Sequence, residues 1–210
     1  MDIMKNWWYY HKWYVVIGAI LLGVAINLIV NALGLFTKAP DLQIAYVGKT
    51  PLSQDAISTL QQVFTSLAGD YNHDGEVIVR INQYFNDSNT TDVDTAYYQY
   101  ASEITLIGDI SGCESYFFLM EDPQDFQRQY QILALPDGSC PDDTDYSIED
   151  KVIIWSDCPM LSEMEMGSEH FADLFLGRRC FYTDAVTDNL QECSALWDML
   201  YRSSITQKDG

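Results

Sequence analysis

Residues 42–47 have the sequence LQIAYV, and this short apolar and aromatic run predicts a β-strand. A helix is predicted over residues 53–68, because apolar side chains recur at helical spacing from Ile57 to Leu67. In residues 76–84 (EVIVRINQY) apolar and polar side chains alternate, which predicts a second strand. A strand, a helix and a strand in this order are typical of a parallel sheet covered by helices.

The alternation of predicted strands and helices continues toward residue 136. A second helix is predicted because four residues at helical spacing share a face: Tyr97, Ala101, Ile104 and Gly108. Residues 115–120 (SYFFLM) are almost continuously apolar, as in a strand buried on both sides. Residues 123–131 predict a further helix and residues 131–136 a further short strand. We therefore expect an α/β fold with a single lobe and a mainly parallel sheet.

The remaining chain begins with an acidic segment, residues 137–150, which has six acidic residues and no basic one and predicts an exposed loop. Residues 151–155 (KVIIW) and 178–183 predict two more strands. Residues 188–201 predict a closing helix with an apolar stripe formed by Leu190, Cys193, Trp197 and Leu200.

Residues 15–36 contain 22 residues without a charge. As a helix they extend roughly 33 Å, which matches the hydrocarbon core of a bilayer. Residues 7–14 (WWYYHKWY) precede them and are typical of an aromatic belt at the membrane surface. A cleaved signal peptide is the alternative, with residues 32–34 (ALG) as its cleavage site, although its apolar core is usually shorter.

The lysines around this segment predict its orientation. Lys5 and Lys12 precede it closely, whereas Lys38 and Lys49 follow at some distance, so the positive-inside rule places the N-terminus in the cytoplasm. The predicted parts are a short cytoplasmic segment (1–14), a transmembrane helix (15–36), a linker (37–41) and an acidic extracellular α/β domain (42–210). The alternative topology puts that domain in the cytosol with its cysteines reduced.

Within the predicted transmembrane helix, small and polar residues recur every four positions: Ala19, Gly23, Asn27 and Asn31. Small residues let helices approach closely, and an asparagine in the membrane seeks a hydrogen-bond partner. The pattern predicts self-association or binding to a partner helix. A lone helix that tolerates two asparagines is the alternative.

Residues 70–75 (DYNHDG) match the first half of a calcium-binding loop, in which side-chain oxygens at alternate positions precede a turn at glycine. The second half is missing, because Ile78 and Ile81 occupy the two later ligand positions. The ligands of a weak calcium site would be Asp70, Asn72, Asp74 and Glu76. The alternative is a turn that favours Asp, Asn and Gly for backbone reasons. The sequence predicts no other cofactor.

The chain has five cysteines and no C-x-x-C pair, which argues against a zinc ribbon or a thioredoxin-type site. In an exported domain we expect disulfides among Cys113, Cys140, Cys158 and Cys180, with the pairing left open. Cys193 lies on the apolar stripe of the last helix and is predicted to be core. Soft ligands that suit Cu(I) cluster at Cys158, Met160, Met164, Met166 and His170, although methionine more often fills a core.

Composition and the absence of known motifs exclude several classes of function. With 11 basic and 31 acidic residues the net charge is −20, which excludes a general nucleic-acid binder. No nucleophile elbow, zinc-protease motif or phosphate loop is present in the sequence, so no catalytic residue is predicted. Residues 86–88 (NDS) and 89–91 (NTT) are glycosylation sequons.

The order of these parts resembles small membrane-anchored proteins of anaerobic Gram-positive bacteria. The similarity lies in residues 7–36, the segment 42–47 and the stretch 70–79 (DYNHDGEVIV). Residues 101–120 (ASEITLIGDISGCESYFFLM) resemble part of the extracellular solute-binding proteins. That resemblance implies a periplasmic-binding-protein-like lobe with strand order 2-1-3. The chain has about half the length of such two-lobed receptors.

Together these features predict a membrane-anchored extracellular protein that binds or assembles with other molecules and is not a catalyst. Its expected partners are the membrane and either another protein or a second copy bound through the transmembrane helix. One alternative is a reduced solute-binding protein that delivers a small ligand of unknown identity to a transporter. Another is a surface hydrolase that uses unrecognised carboxylates.

Overall fold

The computed structural model describes residues 2–32, 38–85, 93–164 and 171–208. The chain divides into two compact units, residues 1–39 and 40–210. The first unit contains helix α1 (Asp2–Ala32). Over His11–Leu28, α1 is long and apolar enough to cross a membrane, by length and composition alone. A signal sequence near the N-terminus has the same two properties, and the end of the predicted span lies outside the described residues.

The second unit contains one sheet of five strands in the order β2-β1-β3-β5-β4. In chain order its elements are β1 (Leu42–Gly48), α2 (Gln54–Leu67), β2 (Val79–Phe85), α3 (Val93–Gly112), β3 (Phe117–Met120), α4 (Pro123–Tyr130), β4 (Val152–Ile154), α5 (Pro159–Ser162), β5 (Phe175–Arg178) and α6 (Leu190–Lys208). A short 3₁₀ turn at Trp155–Asp157 follows β4.

The first three strands confirm the predicted order 2-1-3. Strand β1 pairs in parallel with both neighbours, so that Ile44 lies opposite Ile81 on one side and Phe117 on the other. The helix predicted over residues 53–68 is also confirmed, as α2. It begins after Ser53, whose side chain caps the helix by accepting a hydrogen bond from the backbone N–H of Ala56 at 3.0 Å.

Beyond β3 the prediction of a mainly parallel sheet is wrong. Strand β5 pairs antiparallel with both β3 and β4, so parallel pairing is confined to the first three strands. The strand predicted at residues 178–183 lies earlier, at β5. The strand predicted at residues 131–136 is reduced to a single bridge between Leu133 and Arg179.

Two hydrophobic layers enclose the sheet. Buried residues of α2 and α6 pack with one face, where the rings of Phe64, Phe117 and Trp155 are in contact. Residues of α3 and α4, including Leu106 and Phe126, pack with the other face. The helix after β1 and the helix after the adjacent β3 therefore lie on opposite faces, which is the topology that opens a crevice between two such strands.

Candidate functional site

Helix α3 turns an apolar face to solvent. The shared face predicted from Tyr97, Ala101, Ile104 and Gly108 is this exposed face, and no side chain of the described chain lies within 4 Å of a Cβ placed on Gly108. Its large side chains keep much of their area accessible: Tyr97 72%, Tyr98 70%, Tyr100 64%, Ile104 52% and Ile107 47%. These five residues are called the α3 surface below.

The opposite face of α3 carries the buried residues, and one of them is charged. Asp109 is 2% exposed, and its carboxylate accepts hydrogen bonds from the Tyr84 hydroxyl at 2.7 Å and from the Ser115 hydroxyl at 2.6 Å. The backbone N–H of Ser115 donates a third bond to it at 2.9 Å. Burial, followed by the bond to Asp109, raises the pKa of Tyr84. These bonds fix the rotation of α3 and leave the aromatic face outside.

Arg179 holds the carboxyl end of α3. Its guanidinium donates to the backbone carbonyls of Ile110 at 2.6 Å and Ser115 at 3.2 Å. A cation at this end of a helix satisfies carbonyls that lack a partner and opposes the helix dipole. Burial lowers the pKa of Arg179. Sequence analysis missed this residue, because an arginine gives no sign of burial before its distant partners are known.

Beside the α3 surface lies a cavity of about 520 Å³, at the ends of β1 and β2. It is mostly apolar, and the residues that line it are Lys49, Gln83, Tyr84, Phe85, Tyr98, Gln99, Ala101, Ser102 and Thr105. The Ser102 hydroxyl accepts from the backbone N–H of Phe85 at 2.6 Å, which joins the first half of α3 to the end of β2. A volume of this size is in the range of small-molecule sites.

The crevice between β1 and β3 is filled by the chain itself. The Glu121 carboxylate accepts from the Tyr46 hydroxyl at 2.5 Å and from the backbone N–H of Lys49 at 2.9 Å. A Cβ on Gly48 would collide with Cζ and the hydroxyl oxygen of Tyr46 and would lie 2.8 Å from a Glu121 oxygen, so the closure also requires glycine there. In open parallel sheets this crevice is the usual ligand position. Glu121 and Tyr46 occupy it here, and sequence analysis had singled out neither residue.

The loop predicted to bind calcium forms a turn held by its own side chains. The Asp70 carboxylate accepts from the backbone N–H groups of Asp74 at 3.0 Å and Gly75 at 2.9 Å. Asp74 in turn accepts from the N–H of Glu76 at 3.0 Å, and Asn72 accepts from the N–H of Asp74 at 2.9 Å. Among the described residues no three His, Cys, Asp or Glu side chains are placed to hold a metal. Calcium binding therefore stays a prediction.

Asp41 anchors this turn and was not recognised from the sequence. It is 2% exposed, and its carboxylate accepts three backbone N–H groups, from Tyr71 at 2.8 Å, Asn72 at 3.0 Å and Ile78 at 2.8 Å. Three such bonds satisfy the buried charge and join the start of β1 to the loop before β2.

All five cysteines are free thiols in the structure. Cys193 is buried in the core as predicted, and burial raises its pKa to about 12. Cys158 of the predicted copper cluster also lies in the core, with its Sγ 3.6 Å from the Leu200 carbonyl oxygen. The Met164 sulfur accepts from the Ser66 hydroxyl at 3.3 Å. Met166 and His170 lie outside the described residues.

On α1 the described members of the small-residue face, Ala19, Gly23 and Asn27, are exposed within their own unit. The side chain of Asn31 and both sequons lie outside the described residues. Helix association through this face stays a prediction.

Comparison with known proteins found no matching family model, no matching curated protein and no matching solved structure. The resemblance to membrane-anchored proteins and to a solute-binding lobe therefore stays a prediction. The candidate site rests on the geometry of the α3 surface and the cavity next to it.

Proposed function

We propose that this chain is a single-pass membrane protein whose α/β unit lies outside the cell and binds a protein partner without catalysing a reaction. The α3 surface is the observation that supports this proposal. Single exposed apolar residues are common, but Tyr97, Tyr100, Ile104 and Ile107 share one face of α3, with Tyr98 beside it toward the cavity. Together they form a patch of the kind found at interaction sites. Tyrosine is enriched in such interfaces because its ring contributes contact area and its hydroxyl tolerates water.

The net charge of the α/β unit indicates what kind of partner it would bind. Residues 38–210 contain 30 acidic and 9 basic residues, so two copies of this unit repel each other at long range. A partner with an apolar centre and a basic rim complements both the α3 surface and the negative net charge of the unit. Such a partner would also meet the unit faster than a neutral one, with a rate that falls as salt increases.

The proposed membrane arrangement rests on the apolar helix α1 and on the lysines before it. A helix that stays in the membrane would hold the α/β unit near a partner in the same membrane. We further propose that Ala19, Gly23, Asn27 and Asn31 contact a second helix there. Asn27→Leu should then reduce chemical crosslinking between copies or to the partner in native membranes, and unchanged crosslinking would contradict this contact.

The experiment compares co-isolation from gently solubilised membranes for the wild-type chain and the double variant Tyr97→Ser, Ile104→Glu. A matched control is Ile205→Glu, which changes a residue of similar exposure (42%) on α6. We expect a stoichiometric partner with the wild type and the control, and its loss with the double variant. Equal recovery with all three chains would contradict the proposal.

The cavity supports a second candidate function, capture of a small ligand for a transporter. Its apolar wall and its volume of about 520 Å³ suit a small organic molecule. Native mass spectrometry of the purified chain distinguishes the two functions. A bound molecule of constant mass that is lost when Ala101 is replaced by Trp would favour ligand capture.

A further inference from the structure

Two of the five cysteines lie on neighbouring segments of the α/β unit. The backbone N–H of Cys180 donates to the Ile132 carbonyl at 2.8 Å, and the N–H of Ala134 donates to the Arg178 carbonyl at 2.9 Å. A turn closed by the Leu135 N–H and the Ser139 carbonyl at 2.9 Å then leads directly to Cys140. The chain after this turn therefore runs back beside the segment that contains Cys180.

Side-chain contacts hold these segments together around the two thiols. The Tyr182 hydroxyl donates to the Gln131 carbonyl at 2.7 Å, and the Gln131 side chain donates to the Asp143 carbonyl at 2.8 Å. The side chains of Cys140 and Tyr182 are both hydrogen-bond partners of the Cys180 thiol. Cys180 is fully buried, whereas Cys140 is partly exposed.

The other three thiols face different surroundings. The Cys113 Sγ is 3.4 Å from the Ala185 carbonyl oxygen, and the Cys158 Sγ is 3.6 Å from the Leu200 carbonyl oxygen. Cys193 lies on α6, and its side chain belongs to the core cluster. A disulfide requires Cα atoms within about 7 Å of each other and side chains that point toward each other. Two cysteines can therefore pair only where they lie on neighbouring segments with adjacent thiols, as Cys140 and Cys180 do.

We propose that Cys140 and Cys180 form a disulfide when the chain meets an oxidised dithiol protein. The partly exposed Cys140 thiolate attacks the disulfide of that oxidant and forms a mixed disulfide, which releases one thiolate. Cys180 then loses its proton and attacks the Cys140 sulfur, which forms the new S–S bond and releases the second thiolate. Two thiols of this chain are thereby oxidised, and one disulfide of the oxidant is reduced to two thiols.

The disulfide would fasten the acidic loop to the sheet. The closed loop, residues 140–180, contains most of the acidic segment together with β4 and β5. Cys140 is the thiol that an oxidant reaches first, because it is partly exposed whereas Cys180 is fully buried. Burial and the neighbouring Cys140 also raise the pKa of the Cys180 thiol. Formation in the cell rests on the proposed extracellular position of the unit, whereas the pairing itself does not.

The test oxidises the purified full-length chain in detergent with oxidised glutathione and then digests it with trypsin without reduction. We expect mass spectrometry to find the Cys140 peptide linked to the Cys180 peptide. Cys193 shares a tryptic peptide with Cys180, so the same link must also form in Cys193→Ala. Free thiols after oxidation, or a link that Cys193→Ala abolishes, would overturn the pairing.

The same digestion applied to cells alkylated before lysis separates the pairing from the position of the unit. A linked pair in those cells supports both. A pair that forms with glutathione but is reduced in the cells supports the pairing and contradicts the extracellular position. The variant Cys140→Ser is the control, because it should leave the Cys180 peptide unlinked in both samples.

Discussion

The orientation of α3 predicts that two neighbouring apolar residues differ strongly in their effect on stability. Leu106 is 2% exposed and lies in the core, so Leu106→Ala should lower the free energy of unfolding by about 2–5 kcal/mol. Ile104 is 52% exposed, so Ile104→Glu gives up about half of a full burial term of roughly 1.5–3 kcal/mol. Glutamate also has the better helix propensity, by a few tenths of a kcal/mol.

The net cost of Ile104→Glu should therefore stay below about 1.5 kcal/mol. Urea unfolding of the full-length chain in detergent, followed by the change in tryptophan fluorescence as the buried Trp155 and Trp197 become exposed, measures both variants. Ile205→Glu on α6 is the matched control and should resemble Ile104→Glu. A larger loss for Ile104→Glu than for Leu106→Ala would mean that the apolar face of α3 packs inward, and the proposed binding surface would not exist.

Three further predictions concern charged residues of the α/β unit. Asp41→Ala leaves three N–H groups without their acceptor and should cost about 3–5 kcal/mol in urea unfolding, whereas a change below about 1 kcal/mol would contradict its anchoring role. Asp70→Ala with Asp74→Ala should lower the melting temperature equally in calcium and in chelator if the loop is only a turn, and a larger decrease in calcium would establish a metal site. The Lys151 ammonium, 2.8 Å away, lowers the pKa of Asp145, so its stabilising contribution is present above the ordinary carboxylate pKa near 3.8 and is lost as the pH falls through the lowered value. Acid unfolding should therefore be less steep in Asp145→Asn, and an unchanged acid limb would refute this contribution.

The first half of the sheet could be predicted because its signals are local. Residues 42–47 are apolar at nearly every position, α2 has a clear stripe and a serine cap, and β3 is continuously apolar. Each of these patterns depends on neighbours within a few residues. Parallel pairing of these strands follows from their alternation with helices long enough to cross the sheet, whereas the order 2-1-3 is what the resemblance to solute-binding proteins implies.

The second half could not be predicted in the same way. The strand predicted at residues 151–155 is confirmed as β4, whereas the prediction at 178–183 places β5 too late. The sequence does not reveal that these strands of 3 and 4 residues pair antiparallel with each other, or that β5 pairs antiparallel with β3. Arg179 is buried where its guanidinium donates hydrogen bonds to the backbone carbonyls of Ile110 in α3 and of Ser115 before β3. These acceptors are far from Arg179 in the sequence, so the contact can be recognised only in the folded structure.

The α3 surface shows most clearly what a sequence pattern leaves undetermined. Helical spacing identifies which residues share a face, but not whether that face points inward. An apolar stripe on a helix usually faces the core. On α3 the buried Asp109 faces the core instead, because the hydroxyls of Tyr84 and Ser115 donate hydrogen bonds to its carboxylate. The carboxylate lies in α3, and its two hydroxyl donors lie in β2 and in the segment before β3, so no local sequence pattern predicts this contact.

Photo-crosslinking in intact cells tests the central claim most directly, namely that α3 contacts a protein partner. A photoreactive amino acid replaces Tyr97 on the α3 surface or, as the control, Tyr146, which is 42% exposed in the acidic loop. We predict that the probe at residue 97 yields one adduct of defined mass, which disappears when Ile104→Glu is added, and that the probe at residue 146 does not yield it. No adduct at residue 97, or the same adducts at both positions, would contradict the account.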